Sequence, residues 1–336
     1  MYIRSVSTSR DDRYHLPVEY PFPEIPSIEL IVIVNKLKAL KKNTEFEKHK
    51  KKSSVSIMKT KILILITILL ASSFKKEQDP RKTNFPKTIE LVEEMPKPEN
   101  FWIFVLAGQS NMAGRGFVEP KDTISNKRIL TINSDDQWVY AKEPLHFYEP
   151  NLTGLDCGLS FANTLLENVP EEVSIGIIPC SVGGSAIEQW LNDETYRGVQ
   201  LLSNFKSKVA FAQKKGIVKG ILWHQGESNA KSELIPEYEA NLKKLTTTFR
   251  TFVKNDSLPL FIGQLGSYAS PIQKSKRWNS INSKISDFAK SDNNIHVINT
   301  QDLEHKGDTV HFDSKSQRLM GKRFALKYVE TANPNL

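Results

Sequence analysis

Cysteine is scarce in this chain: Cys157 and Cys180 are the only two in 336 residues. Two thiols cannot build a disulfide framework, so the fold must rest on its core. They can pair in an oxidising compartment or stay reduced, and Cys180, at the end of an apolar run, suits a packed thiol. Histidine is sparse as well. The seven are scattered, none at ligand spacing from a cysteine or another histidine, which argues against a bound metal. No apolar run reaches the roughly 18–20 residues of a spanning helix, and no internal repeat or low-complexity tract occurs. Charge of one sign is absent from most of the chain. Residues 1–82 hold 17 Lys+Arg against 9 Asp+Glu, and the remainder balances at 29 against 29. The formal charge of +8 therefore belongs to the N-terminal extension and does not indicate nucleic acid as a partner.

That extension divides in two. Residues 58–74 begin with Met58-Lys59-Thr60-Lys61, continue through a short apolar core and leave through Ala71-Ser72-Ser73. This is the layout of a secretory signal peptide, and it predicts an exported protein. Retention of the segment as a signal anchor is the alternative, and only then is a stable membrane partner expected. No cysteine follows the apolar core, which disfavours a lipid-anchored lipoprotein. Residues 1–57 precede the signal and are lysine-rich over Lys36–Lys52. They read as a non-native or disordered basic extension ahead of a true start at Met58, or as the cytoplasmic tail of an anchored protein. Residues 75–99, charged and Pro-containing, predict a mobile linker.

From residue 100 to 332 the pattern changes. Five buried strands are expected at 101–107, 172–178, 218–223, 258–263 and 294–299. Helical patterns fall near 158–168, 199–214, 234–253, 276–290 and 315–330. Such alternation predicts an α/β domain with a parallel sheet covered on both faces. Segment 117–157 interrupts it with a short strand-like Arg128–Ile132 and an aromatic-rich Trp138–Phe147, expected over the active-site edge. The last helix carries a capping-box pattern, Ser314-Lys315-Ser316-Gln317, and a Met320, Phe324, Tyr328 stripe.

Chemistry-bearing residues gather at the predicted strand ends. Gly108-Gln109-Ser110-Asn111 follows the first strand, where open α/β sheets place their ligands and where Ser110 can start the next helix. A serine needs a base to become a nucleophile. Near the other end, Asp308-Thr309-Val310-His311 lets an imidazole face a carboxylate and a serine hydroxyl at once. Gly183 and Gly184 end the second strand, and Gln225, in His224-Gln225-Gly226-Glu227, ends the third. With the backbone of Ser110, these three are candidate oxyanion donors. Gln109, Asn111, Glu188, Trp190 and His224 are candidate substrate-binding residues. The acid supporting His311 is Asp308 on grounds of local geometry, with Glu227 as its competitor or as a brace.

In order and spacing, Gly108-Gln109-Ser110-Asn111, Gly183-Gly184, His224-Gln225-Gly226-Glu227 and Asp308-x-x-His311 resemble the blocks of the SGNH-type hydrolases. Within that superfamily they resemble the sialate O-acetylesterase and acetylxylan-esterase branch, over about residues 100–332. Gln225 replaces the asparagine that names the superfamily, which points to the carbohydrate-esterase branch and away from its lipase-like members. The resemblance implies a three-layer α/β/α sandwich with a five-stranded flavodoxin-like sheet in the order 2-1-3-4-5. It also implies a serine mechanism without metal or cofactor, and removal of acetyl groups from sialic acid or hemicellulose-type carbohydrate. It adds weight to Glu227, since the glutamate of this block can look like the triad acid in that branch. The competing readings are a catalytically weak carbohydrate-binding member of the same fold and a short-chain lipase or thioesterase.

Overall fold

The computed structural model describes residues 79–332, together with 32, 35, 36 and 62–64. The chain divides into two units, Met1–Glu77 and Gln78–Leu336. In the first, the few described residues are helical. The expectations for 1–57 and 58–74, an extension and a signal segment, lie almost wholly outside the described residues. Among the described residues no helix is long and apolar enough to cross a membrane.

The second unit is built on β1 (Phe101–Gly108), an uninterrupted apolar run that reads on both faces. Phe101, Ile103, Val105 and Ala107 enter one core, while Phe104 and Leu106 enter the other. This is the period of two expected of a strand buried on both sides. Parallel to β1 run β4 (Ser174–Pro179) and β7 (Ile217–His224), followed by β8 (Leu260–Gly263) and β9 (Ile295–Ile298). These five strands stand in the order β4-β1-β7-β8-β9, which is the 2-1-3-4-5 order implied by the resemblance.

The sheet has seven strands, not five. β2 (Ile129–Ile132) lies parallel to β4, and β3 (Trp138–Tyr140) closes the edge antiparallel to β2. Within the segment expected over the active-site edge, residues 129–140 thus extend the sheet instead. Its later part returns to the strand ends, with Tyr148 Oη donating to the Pro179 carbonyl at 2.9 Å and Glu149 Oε2 accepting the Gly183 N–H at 2.7 Å. Trp138 meets Phe101 edge-on at 5.1 Å and stacks on Phe211 at 5.7 Å. Its burial in this core is worth roughly 1.5–3 kcal/mol, the range for a large apolar side chain, and draws β3 onto the sheet.

The expected linker is also corrected. Residues 90–92 pair with β3, through Val92 N–H to the Trp138 carbonyl (3.0 Å) and Tyr140 N–H to the Glu90 carbonyl (2.9 Å). Val92 and Met95 pack on the core. This stretch covers an edge that would otherwise expose unpaired backbone groups.

Two helices cover one face of the sheet: α2 (Gly158–Leu166), through Phe161 and Leu165, and α7 (Ser314–Ala332), through Met320, Phe324 and Tyr328. The other face carries α3 (Ile187–Leu191), α4 (Leu201–Gln213), α5 (Tyr238–Val253) and α6 (Ile272–Ser291). Phe205 of α4 and Phe249 of α5 stack at 4.1 Å there. The cap of α7 is Asp313, whose Oδ1 accepts the Ser316 N–H at 2.7 Å. Ser314, the expected cap, instead donates to the Phe117 carbonyl. Cys157 and Cys180 are free, buried, and in different cores.

Candidate active site

The end of β1 sets the site. Gly108 has φ +133°, and a Cβ there would lie 2.2 Å from the His224 carbonyl oxygen on β7. Only glycine allows the two strands to approach this closely while the chain turns. The turn delivers Ser110 to the first position of a short helical turn, α1 (Ser110–Ala113). Met112 and Ala113 N–H close onto the Gln109 carbonyl. The N–H of Ser110, before the first intrahelical bond, has no partner among the described residues.

Residues 304–313 bring His311 to the end of β1. His305 and Phe312 form a backbone bridge, and Lys306 N–H donates to the His311 carbonyl at 2.9 Å. Inside this loop Asp308 Oδ1 accepts the Val310 N–H (2.9 Å) and the His311 N–H (2.8 Å). Such a turn fixes the carboxylate against its own backbone. Its other oxygen, Oδ2, accepts from His311 Nδ1 at 2.7 Å. His311 Nε2 faces the Ser110 hydroxyl at 3.0 Å. Serine, histidine and aspartate thus form one continuous hydrogen-bonded row.

The electrostatics favour a neutral imidazole at His311. Burial lowers His311 below the ordinary imidazole value, while the bond and charge of Asp308 oppose that and the charges of Lys306 and Arg115 add to it. For Asp308, burial works against ionisation, but the hydrogen bonds from His311 and Val310 outweigh it and hold the carboxyl low. A neutral imidazole beside an ionised carboxylate results.

Glu227 is not on His311. Its Oε1 accepts from Asn111 Nδ2 at 2.6 Å and lies 3.8 Å from His224 Nδ1. Its Oε2 is buried without a partner.

Two expected oxyanion donors, Gln225 and Gly183, are corrected, and the expected substrate-binding side chains have partners within the protein. Gln225 is fully buried, and its Nε2 donates to the Ser185 carbonyl (3.1 Å) and Asn229 Oδ1 (2.7 Å). Both strong donations are spent inside the protein, so none is left for an oxyanion. The Gly183 N–H is likewise spent, on Glu149 Oε2 at 2.7 Å. Gly184 keeps its N–H free of partners among the described residues. Gln109 is buried, with Oε1 accepting the Ser228 N–H at 3.2 Å, and braces the turn after β7. Asn111 is buried and committed to Glu227, Val310 and Phe312. His224 is fully buried, its Nε2 donating to the Gln264 carbonyl at 3.0 Å. Trp190 sits in the core with Nε1 on Ser185 Oγ (2.9 Å). Glu188 receives Asn229 Nδ2 on both oxygens (2.9 and 2.7 Å) and Asn241 Nδ2 at 3.1 Å. The side chains of Gln109, Asn111, His224, Trp190 and Glu188 thus make hydrogen bonds within the protein that brace the turns around Ser110.

Other residues near Ser110 escaped the sequence reading. Arg115 Nη2 pairs with Glu149 Oε2 at 2.7 Å, both nearly buried, and Arg197 pairs with the second Glu149 oxygen. Arg197 and Gly198 both have positive φ, 49° and 79°. They make the tight turn of a hairpin, β5 (Thr195–Tyr196) with β6 (Val199–Gln200). The hairpin sets the Tyr196 hydroxyl 3.0 Å from where a Cβ on Gly184 would stand. The Arg197-Gly198 pair between short strands was the available signal.

A family model described as carbohydrate esterase, sialic acid-specific acetylesterase, matches residues 100–330. A "Probable carbohydrate esterase" of Arabidopsis thaliana is 29% identical over 258 residues, covering 70% of this chain and 93% of the relative. Its crystal structure aligns with a TM-score of 0.60 at 27% identity, covering 69% of this chain and 99% of that one. The structure of NanS aligns with a TM-score of 0.59 at 17% identity, over 72% of this chain and 100% of that one, which speaks to the fold. A carbohydrate acetylesterase from Xanthomonas citri aligns at 0.53 and 20% identity, over 70% of this chain and 57% of its own. The chain belongs to the sialic acid-specific acetylesterase family of carbohydrate esterases.

Proposed function

We propose that this esterase removes O-acetyl groups from carbohydrate by a serine mechanism in which Ser110 is the nucleophile, His311 the base and Asp308 its acid. The observation that carries the reading is the row from Asp308 Oδ2 through His311 to Ser110 Oγ, with spacings of 2.7 and 3.0 Å at the strand ends. These are hydrogen-bond distances, short enough for proton transfer. His311 Nε2 takes the hydroxyl proton as Ser110 Oγ attacks the acetyl carbonyl. The tetrahedral oxyanion is met by the unpaired N–H groups of Ser110 and Gly184; one such donor is worth roughly 3–4 kcal/mol. His311 then returns the proton to the departing sugar oxygen, leaving acetyl on Ser110. Water, deprotonated by the same imidazole, attacks that ester and releases acetate and the free serine. Asp308 holds the tautomer with Nε2 open and stabilises the imidazolium at each transfer.

Tyr196 and Arg197, beside Gly184, are the side chains best placed to meet the sugar. The expected substrates are sialic acid or hemicellulose-type esters, and the family's description supports the first. Export rests on the segment at 58–74, and the mature chain should begin just after Ala71–Ser73; N-terminal sequencing that recovers residues 1–57 on intact secreted protein refutes this.

The substrate test uses p-nitrophenyl acetate, butyrate and octanoate alongside acetylated xylan and an O-acetyl sialic acid. Preference for acetate with release from at least one sugar supports the proposal. Preference for octanoate favours a lipase, and no turnover favours a binding protein.

A further inference from the structure

Glu227 and Asn111 lie beside the reacting groups without touching them. Asn111 directly follows the nucleophile, and its amide reaches the loop that carries the base. Nδ2 donates to the Val310 carbonyl at 3.1 Å, and Oδ1 accepts the Phe312 N–H at 3.0 Å. The peptide groups on both sides of His311 therefore end on the residue next to Ser110. The other Nδ2 hydrogen goes to Glu227 Oε1 at 2.6 Å, and Gln317 Nε2 holds the Asn111 carbonyl at 2.8 Å. Two acceptors on one side and one donor on the other leave the amide a single orientation.

Glu227 ties that amide to the frame through the second Nδ2 hydrogen. It is a buried carboxylate on the turn after β7, so it belongs to the frame rather than to the histidine loop. The charged and titratable groups facing it are His224, Lys274, Tyr268 and Tyr238. The outer side of the loop has its own ties, Tyr268 Oη to the Val310 carbonyl at 3.2 Å and Lys274 Nζ to the Thr309 carbonyl at 3.3 Å. On the inner side, Lys306 Nζ donates to the Arg115 carbonyl at 3.2 Å, and the Asn111 side chain joins the peptides flanking His311 to the serine corner.

We infer that Glu227 is a positioning residue for His311, acting through Asn111, which clamps the peptides flanking the base to the nucleophile's own turn. The inference rests on the Ser110–His311–Asp308 reading. A displacement of about 1 Å between reacting groups can cost on the order of 10²-fold in rate. The clamp holds the 3.0 Å gap between Nε2 and Oγ.

The test is kcat, KM and the pH profile of kcat/KM on p-nitrophenyl acetate with the full chain. The variants are Ser110→Ala, Asp308→Asn, Glu227→Gln, Glu227→Leu, Asn111→Asp and the Asn111→Asp/Glu227→Gln pair. Glu227→Gln keeps an acceptor for Asn111 and should lose less than about tenfold in kcat, with the ascending pH limb unmoved. Glu227→Leu frees the amide and should lose about 10²-fold in kcat with KM nearly constant. Asn111→Asp sets two carboxylates against each other and should be similarly impaired. Adding Glu227→Gln removes the repulsion and lets the amide at 227 donate to the new carboxylate. The Val310 carbonyl still lacks its donor, so recovery is partial, about tenfold, and the coupling is read from the double-mutant cycle.

The inference is overturned if Glu227→Gln is as damaging as Asp308→Asn and lowers the pH limb as that change should. It is equally overturned if Glu227→Leu folds and keeps kcat, or if the double variant shows no rescue. Should Glu227→Leu fail to fold, the rescue arm decides. If Ser110→Ala stays active, the serine reading fails instead.

Discussion

Replacing Asp308 by asparagine isolates what its charge and its acceptor oxygen do for His311. One side-chain oxygen already holds the Val310 and His311 N–H groups at 2.9 and 2.8 Å, and the carbonyl of asparagine can keep those bonds. The amide nitrogen then replaces Oδ2, which now stands 2.7 Å from His311 Nδ1. A donor facing that nitrogen forces Nδ1 to accept, so the ring proton moves to Nε2. Nε2 can then no longer take the Ser110 proton across the 3.0 Å gap. A wrong tautomer of this kind costs up to about 10⁴ in kcat. At 1.36 kcal/mol per decade that is roughly 5 kcal/mol of transition-state stabilisation. Fold stability should fall by far less, because the turn bonds survive and the side chain is one-third exposed. Steady-state kinetics on p-nitrophenyl acetate, with a denaturant curve on the same sample, separates the two effects. A loss below about tenfold in a folded sample, against the 10⁴ expected, would refute the assignment of Asp308.

Three further outcomes are expected. Burial lowers His311, so the neutral base appears as pH rises through a value below the ordinary imidazole pKa of about 6.5, and the ascending limb of kcat/KM should have its midpoint there; a flat profile between about pH 5 and 8 contradicts this. Gly183→Ala puts a Cβ 2.0 Å from Arg115 Nη2 and 2.6 Å from Glu149 Oε2. Breaking that buried pair should cost about 3–5 kcal/mol in denaturant stability, and a near-unchanged midpoint argues against its strutting role. Burial raises both thiols, so Cys157 and Cys180 should be inert to a thiol reagent in the native state and both react after denaturation; rapid native labelling of either contradicts their packing.

Legibility of the fold followed the length of each apolar run. β1 and β7 are eight residues each and stand out as strands whichever face they use. β2 was readable as a short strand-like stretch, but β3, at three residues, becomes a strand only because β2 and the 90–92 segment lie alongside it. Residues 79–99 looked like a linker because their order comes from contacts with that distant edge.

At the site, Asp308 and His311 were readable because a three-residue spacing on one loop nearly dictates their contact. The direction of Gln225 was not, since it depends on Ser185 and Asn229 from elsewhere in the chain. The same holds for Glu188 and Trp190, whose partners are set by helix packing. Glu149 gave no local signal at all; it meets Arg115 and Gly183 across 34 residues in either direction.

The central claim is that Ser110 is the nucleophile, and locating a covalent adduct tests it most directly. The full chain is treated with a fluorophosphonate until esterase activity is gone, then digested and mapped by mass spectrometry. One adduct is expected, on Ser110, formed in proportion to lost activity. Complete inactivation with Ser110 unmodified, or labelling with no loss of turnover, would contradict it.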